Sequence, residues 1–378
     1  MPIPLRKFVA PEFVYGTDAR RLAGRFAVNL GASRIFLVTD PTVRQCPWFS
    51  DILESLAADD LLCDLFDQVT INPKDTECAD GARRYAEAGC DLILAVGGGS
   101  VIDCAKGIGI LTTNPGPVSL YEGVDEIQAS TPPLICIPTT AGSAADISQF
   151  AIVTNTAEAY KMAIVSKMLV PDLSLTDPWV TLTLDRENTL DAGLDVLAHA
   201  IESYASNAAS AFTRLHALES VRLVLRSLPA LAGNLQDLSL RDAMMQASLQ
   251  AGLSFSNASL GLIHAVAHAL GGRFNLIHGE LNGMLLSAVT AFNYAGAPRE
   301  YDALARIFET ELGWEPDTLP RHLDRFIRSV RSNRSLRDTG VSREAFQGLI
   351  PWILNDPCVV TNPVTVTAED VMALYERL

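Results

Sequence analysis

Apolar runs alternate with helical stretches over the first 184 residues of the chain. RIFLVTD (34–40) predicts a buried strand, and the span through ILESLAADD that follows it predicts a helix. LCDLF, CADGARRYAEAGC and DLILAVGGGS repeat the cycle of strand, helix and strand, and PPLICIPTT (132–140) adds a further strand. Strands that are buried on both faces lose the alternation of apolar and polar residues, so these continuous apolar runs indicate an α/β domain with a parallel sheet.

The pattern changes after DPWVTLTL (177–184). Ala and Leu then recur at helical spacing, as in LDVLAHAIESYA and AFTRLHALESVRLVLRSL, and runs of β-branched residues become few. A length of 378 residues also favours more than one core. We therefore expect an α/β domain over residues 1–184 and an all-helical domain over residues 185–378.

The composition of the chain excludes some classes of binding partner and indicates the redox state of its compartment. The net charge of −15 argues against nucleic acid and anionic lipid, because both require clustered Lys and Arg. The seven cysteines are scattered and form no CxxC pair, which favours a reducing compartment such as the cytoplasm. The N-terminal MPIPLRKFVAPEF lacks the apolar stretch of a secretory signal, and no run of about 18 apolar residues predicts a membrane span. We expect a soluble protein.

A glycine-rich loop joins a predicted strand to a predicted helix in AVGGGSVIDCAKGI. Gly98, Gly99 and Ser100 would let a ligand approach the backbone, and the start of the helix offers free N–H groups to a phosphate. A tight turn without a ligand explains the glycines equally well, and the loop is not the GxGxxG dinucleotide motif.

Two other loops place polar groups at strand ends. The carboxylate of Asp40, at the end of RIFLVTD, suits the ribose hydroxyls of NAD and would repel the 2′-phosphate of NADP; a turn or capping role is the alternative. PTTAGSAADIS (138–148) carries Thr139, Thr140 and Ser148 among small residues, which suits a cofactor or phosphate surface. Alternatively, these are ordinary loop hydroxyls.

Histidines are concentrated in ASLGLIHAVAHALGGRFNLIHGELNG. His264 and His268 are four residues apart and share one face of a predicted helix, which we expect to end at the following glycine pair, Gly271 and Gly272, so that His278 returns to the same region. Upstream, Asp195 and His199 have the same spacing. One carboxylate and several imidazoles predict a site for a divalent metal such as Fe²⁺ or Zn²⁺.

Other features limit that interpretation. The HExxH motif of metalloproteases is absent from the sequence. His216 and His322 have no partner at metal-ligand spacing, and we interpret both as core residues.

These motifs together resemble the iron-containing, or group III, alcohol dehydrogenases. GGGSVIDCAKG, PTTAGSAADIS, DVLAHAIESY and HAVAHALGGRFNLIHG stand in the family order, and the resemblance covers essentially the whole chain. Within the family the chain is similar to a branch described as alcohol-dehydrogenase-like regulators of bacterial ethanol oxidation. That similarity rests on VAPEFVYG, PTTAGSAADISQFAIV and LQAGLSFSNASLG.

The resemblance implies an N-terminal dinucleotide-binding domain, a C-terminal metal-binding domain, and a homodimer or larger homo-oligomer. The implied metal ligands are Asp195, His199, His264 and His278, with His268 near the nicotinamide as an orienting or proton-relay residue. Cys358, in NDPCVVTNP, matches a position that lines the substrate pocket. The implied cofactor surface is formed by Asp40, Asn72, Gly98, Gly99, Ser100, Asp103, Thr139, Thr140, Ser148, Phe150, Lys161 and Val180.

Two places depart from the family pattern. The common loop reads PTTAGTGSEVT, whereas this chain has Ser143, Ala144, Ala145 and Asp146 in place of TGSE, and Ser148 in place of the final Thr. The loss of a glycine and the shorter acid would shift the loop beside the cofactor. Val364 stands where many members carry Arg.

The expected function is hydride transfer between a small primary alcohol, or its aldehyde, and NAD. A divalent metal, with Fe²⁺ the name metal of the family and Zn²⁺, Mn²⁺, Co²⁺ or Ni²⁺ also compatible, would act as a Lewis acid. One alternative is a catalytically weak regulator of alcohol oxidation that binds NAD and metal. A dehydroquinate-synthase-like elimination would need basic residues, of which Arg273 is the obvious one near the metal motifs. A dehydrogenase of glycerol or a diol would differ only in the shape of its pocket.

Overall fold

The computed structural model describes residues 7–331 and 334–378, which form two compact units. Ala10–Leu184 is the α/β unit, and Asp185–Leu378 is the helical unit. Residues 7–9, assigned to the α/β domain from sequence, belong to the helical unit instead. The N–H of Val9 donates to Oδ1 of Asn257, and Nδ2 of Asn257 donates to the carbonyl of Val9.

Nine strands are described, all of them in the α/β unit. They are β1 (Glu12–Tyr15), β2 (Arg34–Val38), β3 (Leu62–Phe66), β4 (Leu92–Gly97), β5 (Gly123–Val124), β6 (Leu134–Pro138), β7 (Phe150–Asn155), β8 (Tyr160–Val165) and β9 (Leu173–Thr176).

The main sheet has six parallel strands in the order β1-β9-β6-β4-β2-β3. The four strands predicted from apolar runs are β2, β3, β4 and β6, and all four are in this sheet. Residues 92–97 of β4 are buried throughout, as expected for a central strand that is covered on both faces. The loops after β4 and β6 therefore lie side by side at the carboxyl edge of the sheet, where α/β folds bind ligands.

A second sheet, in the order β5-β8-β7, was not predicted from the sequence. β7 and β8 form an antiparallel hairpin, with Phe150 paired to Val165 and Asn155 paired to Tyr160. The hairpin begins directly after the loop that contains PTTAGSAADIS, so it fixes the far end of that loop.

Fourteen α-helices are described. They are α1 (Ala23–Asn29), α2 (Phe49–Ala58), α3 (Asp75–Ala88), α4 (Gly99–Thr113), α5 (Arg186–Ala205), α6 (Ala211–Gly233), α7 (Leu238–Ala258), α8 (Leu262–Phe274), α9 (His278–Asn293), α10 (Pro298–Leu312), α11 (Leu319–Val330), α12 (Arg343–Gln347), α13 (Ile350–Asn355) and α14 (Ala368–Tyr375).

The described part of the helical unit contains no strand, in agreement with the predicted fold class. The helix α8 does not end at Gly271 and Gly272, as the sequence had suggested, but continues to Phe274. Asn275 ends it with a φ of 53°, a left-handed conformation that Asn tolerates well. No helix in residues 7–331 and 334–378 is long and apolar enough to cross a membrane.

Candidate metal centre and cofactor surface

The helix α5 carries the first two predicted metal ligands. Asp195 and His199 lie one turn apart on the same face, and both side chains are buried. The side chain of Asp185 begins the helix by accepting a hydrogen bond from the N–H of Asn188. The ring of His199 stacks on Phe255 of α7 with centroids 4.3 Å apart, which fixes the plane of the imidazole.

The helices α8 and α9 supply the remaining histidines. His264 and His268 lie one turn apart on α8, and His278 is the first residue of α9. The centroid of the His264 ring lies 4.5 Å from that of His199 and 5.4 Å from that of His278. Three helices thus bring these side chains into one cluster.

Three imidazole nitrogens converge on one carboxylate oxygen. The Nε2 atoms of His199, His264 and His278 lie 3.9, 3.8 and 3.7 Å from Oδ1 of Asp195. The ligand atoms of Asp195, His199 and His264 all lie within 4.8 Å of one another. Because zinc-type bonds to nitrogen and oxygen are about 2.0–2.2 Å long, one ion can bridge atoms that are up to ~4 Å apart. The donor set fits a divalent metal.

Asn282, one turn after His278, lies among these atoms and was not singled out from the sequence. Its Nδ2 donates to Oδ1 of Asp195 at 2.6 Å and lies 3.1 and 3.2 Å from Nε2 of His264 and His278. Oδ1 of this buried amide has no hydrogen-bond partner among the described residues. The N–H₂ group of Asn282 thus lies within hydrogen-bond distance of three proposed ligand atoms, so these atoms face a common place, as a cation requires.

The charges within this cluster are strongly coupled. Burial raises the pKa of Asp195, but His199, His278 and His264 outweigh it and hold that pKa well below its usual range. Burial lowers the pKa of His264, yet hydrogen bonds to Asp195 and Glu202 outweigh it and raise the pKa to about 9. A metal that binds Nε2 of His264 would therefore displace a proton.

His268 faces a different carboxylate. Its Nδ1 lies 2.8 Å from Oδ2 of Asp356, and both side chains are buried. Asp356 also accepts a hydrogen bond from the N–H of Cys358 at 2.8 Å. Burial raises the pKa of Asp356, but His268 and Cys358 outweigh it and hold the pKa below its usual value. The buried Cys358 thus lies beside the His268–Asp356 pair. The ring of His268 also stacks on that of His278, with centroids 5.4 Å apart.

The other two histidines have separate surroundings. His322 is buried, as predicted, and stacks on Phe308 with ring centroids 6.0 Å apart. His216 is only half-buried, and its Nδ1 contacts Oε1 of Gln250 at 2.6 Å.

The glycine-rich loop packs against the PTTAG loop in the α/β unit. Gly98 precedes α4, and a Cβ there would lie 3.2 Å from the side chain of Thr140. A Cβ on Gly99 would lie 2.7 Å from Oγ of Ser143. The N–H of Thr139 donates to the carbonyl of Gly97. The structure therefore brings the two predicted phosphate loops together at the start of α4.

Lys106 holds the second half of the PTTAG loop. Its Nζ donates to the carbonyls of Ala145, Ser148 and Phe150 at 2.6, 2.8 and 2.7 Å. Burial lowers the pKa of this lysine, and Asp103 is the main group that opposes the effect. Lys106 was not among the predicted residues, although it determines the backbone path that leads to two of them.

The altered positions of this loop have distinct surroundings. Ala144 adopts a φ of 47°, a left-handed conformation that favours glycine, at the position where the family pattern has Gly. The carboxylate of Asp146 is buried and accepts a hydrogen bond from Oγ of Ser174 on β9 at 2.6 Å.

Asp103 and Lys161 are close enough to interact. Burial raises the pKa of Asp103 to about 7, and Lys106 and Lys161 oppose the effect. Asn72 and Ser100 also meet, because the N–H of Asn72 donates to Oγ of Ser100 at 3.3 Å.

Asp40 caps a turn, and Val180 is part of the hydrophobic core of the α/β unit. Oδ1 of Asp40 accepts hydrogen bonds from the N–H groups of Thr42 and Val43, so the residue caps the turn after β2. The side chain of Val180 is fully buried in the hydrophobic cluster that also contains Val43.

Comparison with known proteins agrees with this architecture. Residues 10–178 match the family model "Iron-containing alcohol dehydrogenase", and residues 189–378 match "Fe-containing alcohol dehydrogenase family, C-terminal". The chain is 35% identical to alcohol dehydrogenase 4 of Schizosaccharomyces pombe, over 99% of this chain and 89% of the relative. It is 33% identical to 1,3-propanediol dehydrogenase of Klebsiella pneumoniae, over 96% of both.

A solved structure shows the same likeness. A crystal structure of 1,3-propanediol oxidoreductase matches with a TM-score of 0.93 and 31% identity, over 99% of this chain and 100% of that one. The chain therefore belongs to the iron-containing alcohol dehydrogenase family. It is an oxidoreductase of a family that uses NAD(H) and a divalent metal.

Proposed function

We propose that the protein interconverts a small primary alcohol and its aldehyde, with NAD as the redox partner and Fe²⁺ as the metal. The observation that carries the proposal is the convergence of Nε2 of His199, His264 and His278 on Oδ1 of Asp195. Buried imidazoles and a carboxylate form a suitable ligand set for Fe²⁺, and Zn²⁺ also suits these donors.

The chemistry divides between the bound groups and the chain. When bound, the divalent ion supplies a Lewis acid for the substrate oxygen, and NAD supplies the hydride acceptor. Oxidation of the alcohol also releases one proton from its hydroxyl, which the chain must pass to solvent. His268 is the proposed carrier: Asp356 holds its Nδ1, which leaves Nε2 as the atom that takes up the proton.

The α/β unit is proposed to hold NAD at the carboxyl edge of its parallel sheet. The adjacent loops after β4 and β6, and the free N–H groups at the start of α4, support a pyrophosphate position there. The fixed carboxylate of Asp40 after β2 supports NAD over NADP, because it would repel a 2′-phosphate.

The test is reconstitution of the purified, metal-stripped protein with Fe²⁺ under anaerobic conditions, and separately with Zn²⁺. NADH formation is followed by absorbance with alcohols of two to six carbons, with diols and with glycerol. We expect metal-dependent turnover that His264→Ala abolishes, and His216→Ala serves as the matched control outside the cluster. Metal-independent turnover, or turnover retained in His264→Ala, would contradict the proposed site.

A second candidate, a regulator with weak turnover, is favoured by one observation. Ala144 holds a left-handed conformation in the loop that lies beside the glycine-rich loop, where the family pattern has Gly. The sequence motifs that resemble the regulatory branch point in the same direction, whereas the relatives that the chain matches include alcohol dehydrogenase 4 and 1,3-propanediol dehydrogenase. Tight NAD binding without turnover on the whole substrate panel would favour this candidate.

The proposal extends to the compartment and the assembly of the protein. All seven cysteines are free thiols, which supports a reducing compartment such as the cytoplasm. The resemblance supports a homodimer or larger homo-oligomer, and sedimentation of the purified protein would test it.

A further inference from the structure

The metal-ligand cluster is backed by a carboxylate from the same helix as two of its members. Glu202 lies seven residues after Asp195 and three after His199 on α5, so all three point to one side of the helix. The side chain of Glu202 is only 4% exposed. A buried carboxylate requires hydrogen-bond donors. The groups that donate to Glu202 show what this side chain holds in place.

Two of these donors are backbone groups at the start of α8. The N–H of Gly261 donates to Oε2 at 3.0 Å, and the N–H of Ile263 donates to Oε1 at 2.7 Å. The first N–H groups of a helix have no partner within the helix, and the helix dipole favours negative charge there. Glu202 therefore fixes where α8 begins. A Cβ on Gly261 would lie 2.8 Å from Oε1 of Glu202, so glycine is required for this close approach.

The third donor is the imidazole of His264, whose Nδ1 lies 2.6 Å from Oε2 of Glu202. A carboxylate only accepts hydrogen bonds, so Nδ1 must carry the proton. Nε2, on the opposite side of the ring, faces Asp195 at 3.8 Å and is then the nitrogen that must give up its proton to bind a metal. Glu202 thus selects the tautomer of His264 whose free nitrogen faces the metal ligands.

We propose that Glu202 is the positioning residue of the metal centre. It sets both the place of His264, through the start of α8, and the nitrogen that His264 offers to a divalent ion. Carboxylates that hold metal-bound histidines in this way typically change metal affinity by about 10- to 100-fold. The inference rests on the metal centre of the proposed function, and it adds a residue that does not itself contact the ion.

Glu202→Gln tests the proposal with almost no change of shape. The amide oxygen of Gln, in the place of Oε1, can still accept from the N–H of Ile263, whereas the N–H₂ group in the place of Oε2 gives up the hydrogen bond from Gly261. Its N–H₂ group, however, faces Nδ1 of His264, which must then act as an acceptor and carry its proton on Nε2. The ligand atom is thereby blocked. Glu202→Asp keeps an acceptor-only group and is the rescue variant, while Glu187→Gln makes the same substitution at an exposed position of α5.

The measurement is the Zn²⁺ dissociation constant by competition with a chromogenic chelator, together with the increase in thermal midpoint on adding Zn²⁺. We expect Glu202→Gln to bind Zn²⁺ about 10- to 100-fold more weakly, with a native circular dichroism spectrum. Glu202→Asp should recover part of the affinity, and Glu187→Gln should match the wild type.

Two results would overturn the inference alone. They are a Glu202→Gln affinity within twofold of the wild type, and a Glu202→Asp defect as large as that of Glu202→Gln, which would show that packing and not the acceptor is what matters. A wild-type protein that binds no Zn²⁺ would instead refute the proposed metal centre, and this inference with it.

Discussion

Nδ1 of His268 donates a hydrogen bond to Oδ2 of Asp356 at 2.8 Å, and both side chains are buried. Asp356 in turn is held by the N–H of Cys358, so its carboxylate cannot swing away from the imidazole. This pair fixes the plane and tautomer of His268, which a proton carrier needs.

We therefore predict that Asp356→Asn lowers kcat by roughly 10- to 100-fold and alters the pH profile of kcat/KM, because the amide no longer requires a proton on Nδ1. The measurement is steady-state NADH formation across pH. Asp324→Asn, at an exposed position of α11, is the matched control. An unchanged pH profile in Asp356→Asn, or in His268→Ala, would refute the relay role of His268.

Removal of His278 tests the fourth proposed metal ligand. Its Nε2 lies 3.7 Å from Oδ1 of Asp195, and its side chain is 24% exposed, the most accessible of the proposed ligands. We predict that His278→Ala folds but loses most of the thermal stabilisation given by added Zn²⁺, because weaker binding reduces the linked stabilisation.

The measurement is the thermal midpoint with and without Zn²⁺, compared with His216→Ala, in which another histidine is removed away from the cluster. A full metal-dependent shift in His278→Ala would show that three ligands suffice.

Ala144 provides a test of strain in the PTTAG loop. Its φ of 47° costs a non-glycine residue roughly 1–2 kcal/mol, whereas glycine loses about 0.4–1 kcal/mol more in conformational freedom on folding. The first effect is larger, so we predict that Ala144→Gly stabilises the protein by about 0.5–1 kcal/mol. The measurement is the free energy of unfolding by urea.

The neighbouring Ala145→Gly is the control, because Ala145 has no positive φ and gains no relief of strain. We expect this control to destabilise the protein by roughly 0.5–1 kcal/mol. Destabilisation by both variants would show that the loop holds Ala144 without strain.

The raised pKa of Asp103 predicts that the stability of the protein depends on pH. Its pKa is about 7 in the folded protein, above the ordinary value of 3.8, because burial disfavours the charged form. Between these two values the folded state keeps a proton that the unfolded state has lost, so the free energy of unfolding falls as pH rises from about 4 to about 7. Above pH 7 this contribution stays constant.

We predict that Asp103→Asn removes this contribution, so that its advantage over the wild type grows across that range to roughly 1–3 kcal/mol. Thermal midpoints of the metal-free protein at several pH values would measure it, with Asp324→Asn as the control. An advantage that does not change with pH would contradict the raised pKa.

The sequence predicted the features that depend on local spacing. Apolar runs identify β2, β4 and β6 because central parallel strands are covered on both faces. The spacing of four residues places Asp195 beside His199, and His264 near His268, because it is close to one helical turn. The resemblance to the iron-containing alcohol dehydrogenases then implied that the residues of these two helices, α5 and α8, contribute to one metal site.

Local sequence patterns could not predict contacts between residues that are far apart in the sequence. Glu202 and His264 are 62 residues apart, and Asp356 and His268 are 88 apart, so no periodicity links them. The end of α8 was misjudged because tertiary packing overrides the low helix propensity of Gly271 and Gly272. The hairpin of β7 and β8 was missed because its strands follow the small and polar residues of the PTTAG loop without a glycine turn between them.

All four proposed metal ligands come from residues 195–278 of the helical unit, whereas the proposed NAD-binding residues lie within Ala10–Leu184. None of the four proposed metal ligands belongs to the unit that is proposed to bind the nucleotide. The ligand set is therefore contained in one unit, separate from the residues proposed to bind NAD. These donors accept several first-row cations, so the choice of metal depends on which ion is available to the helical unit.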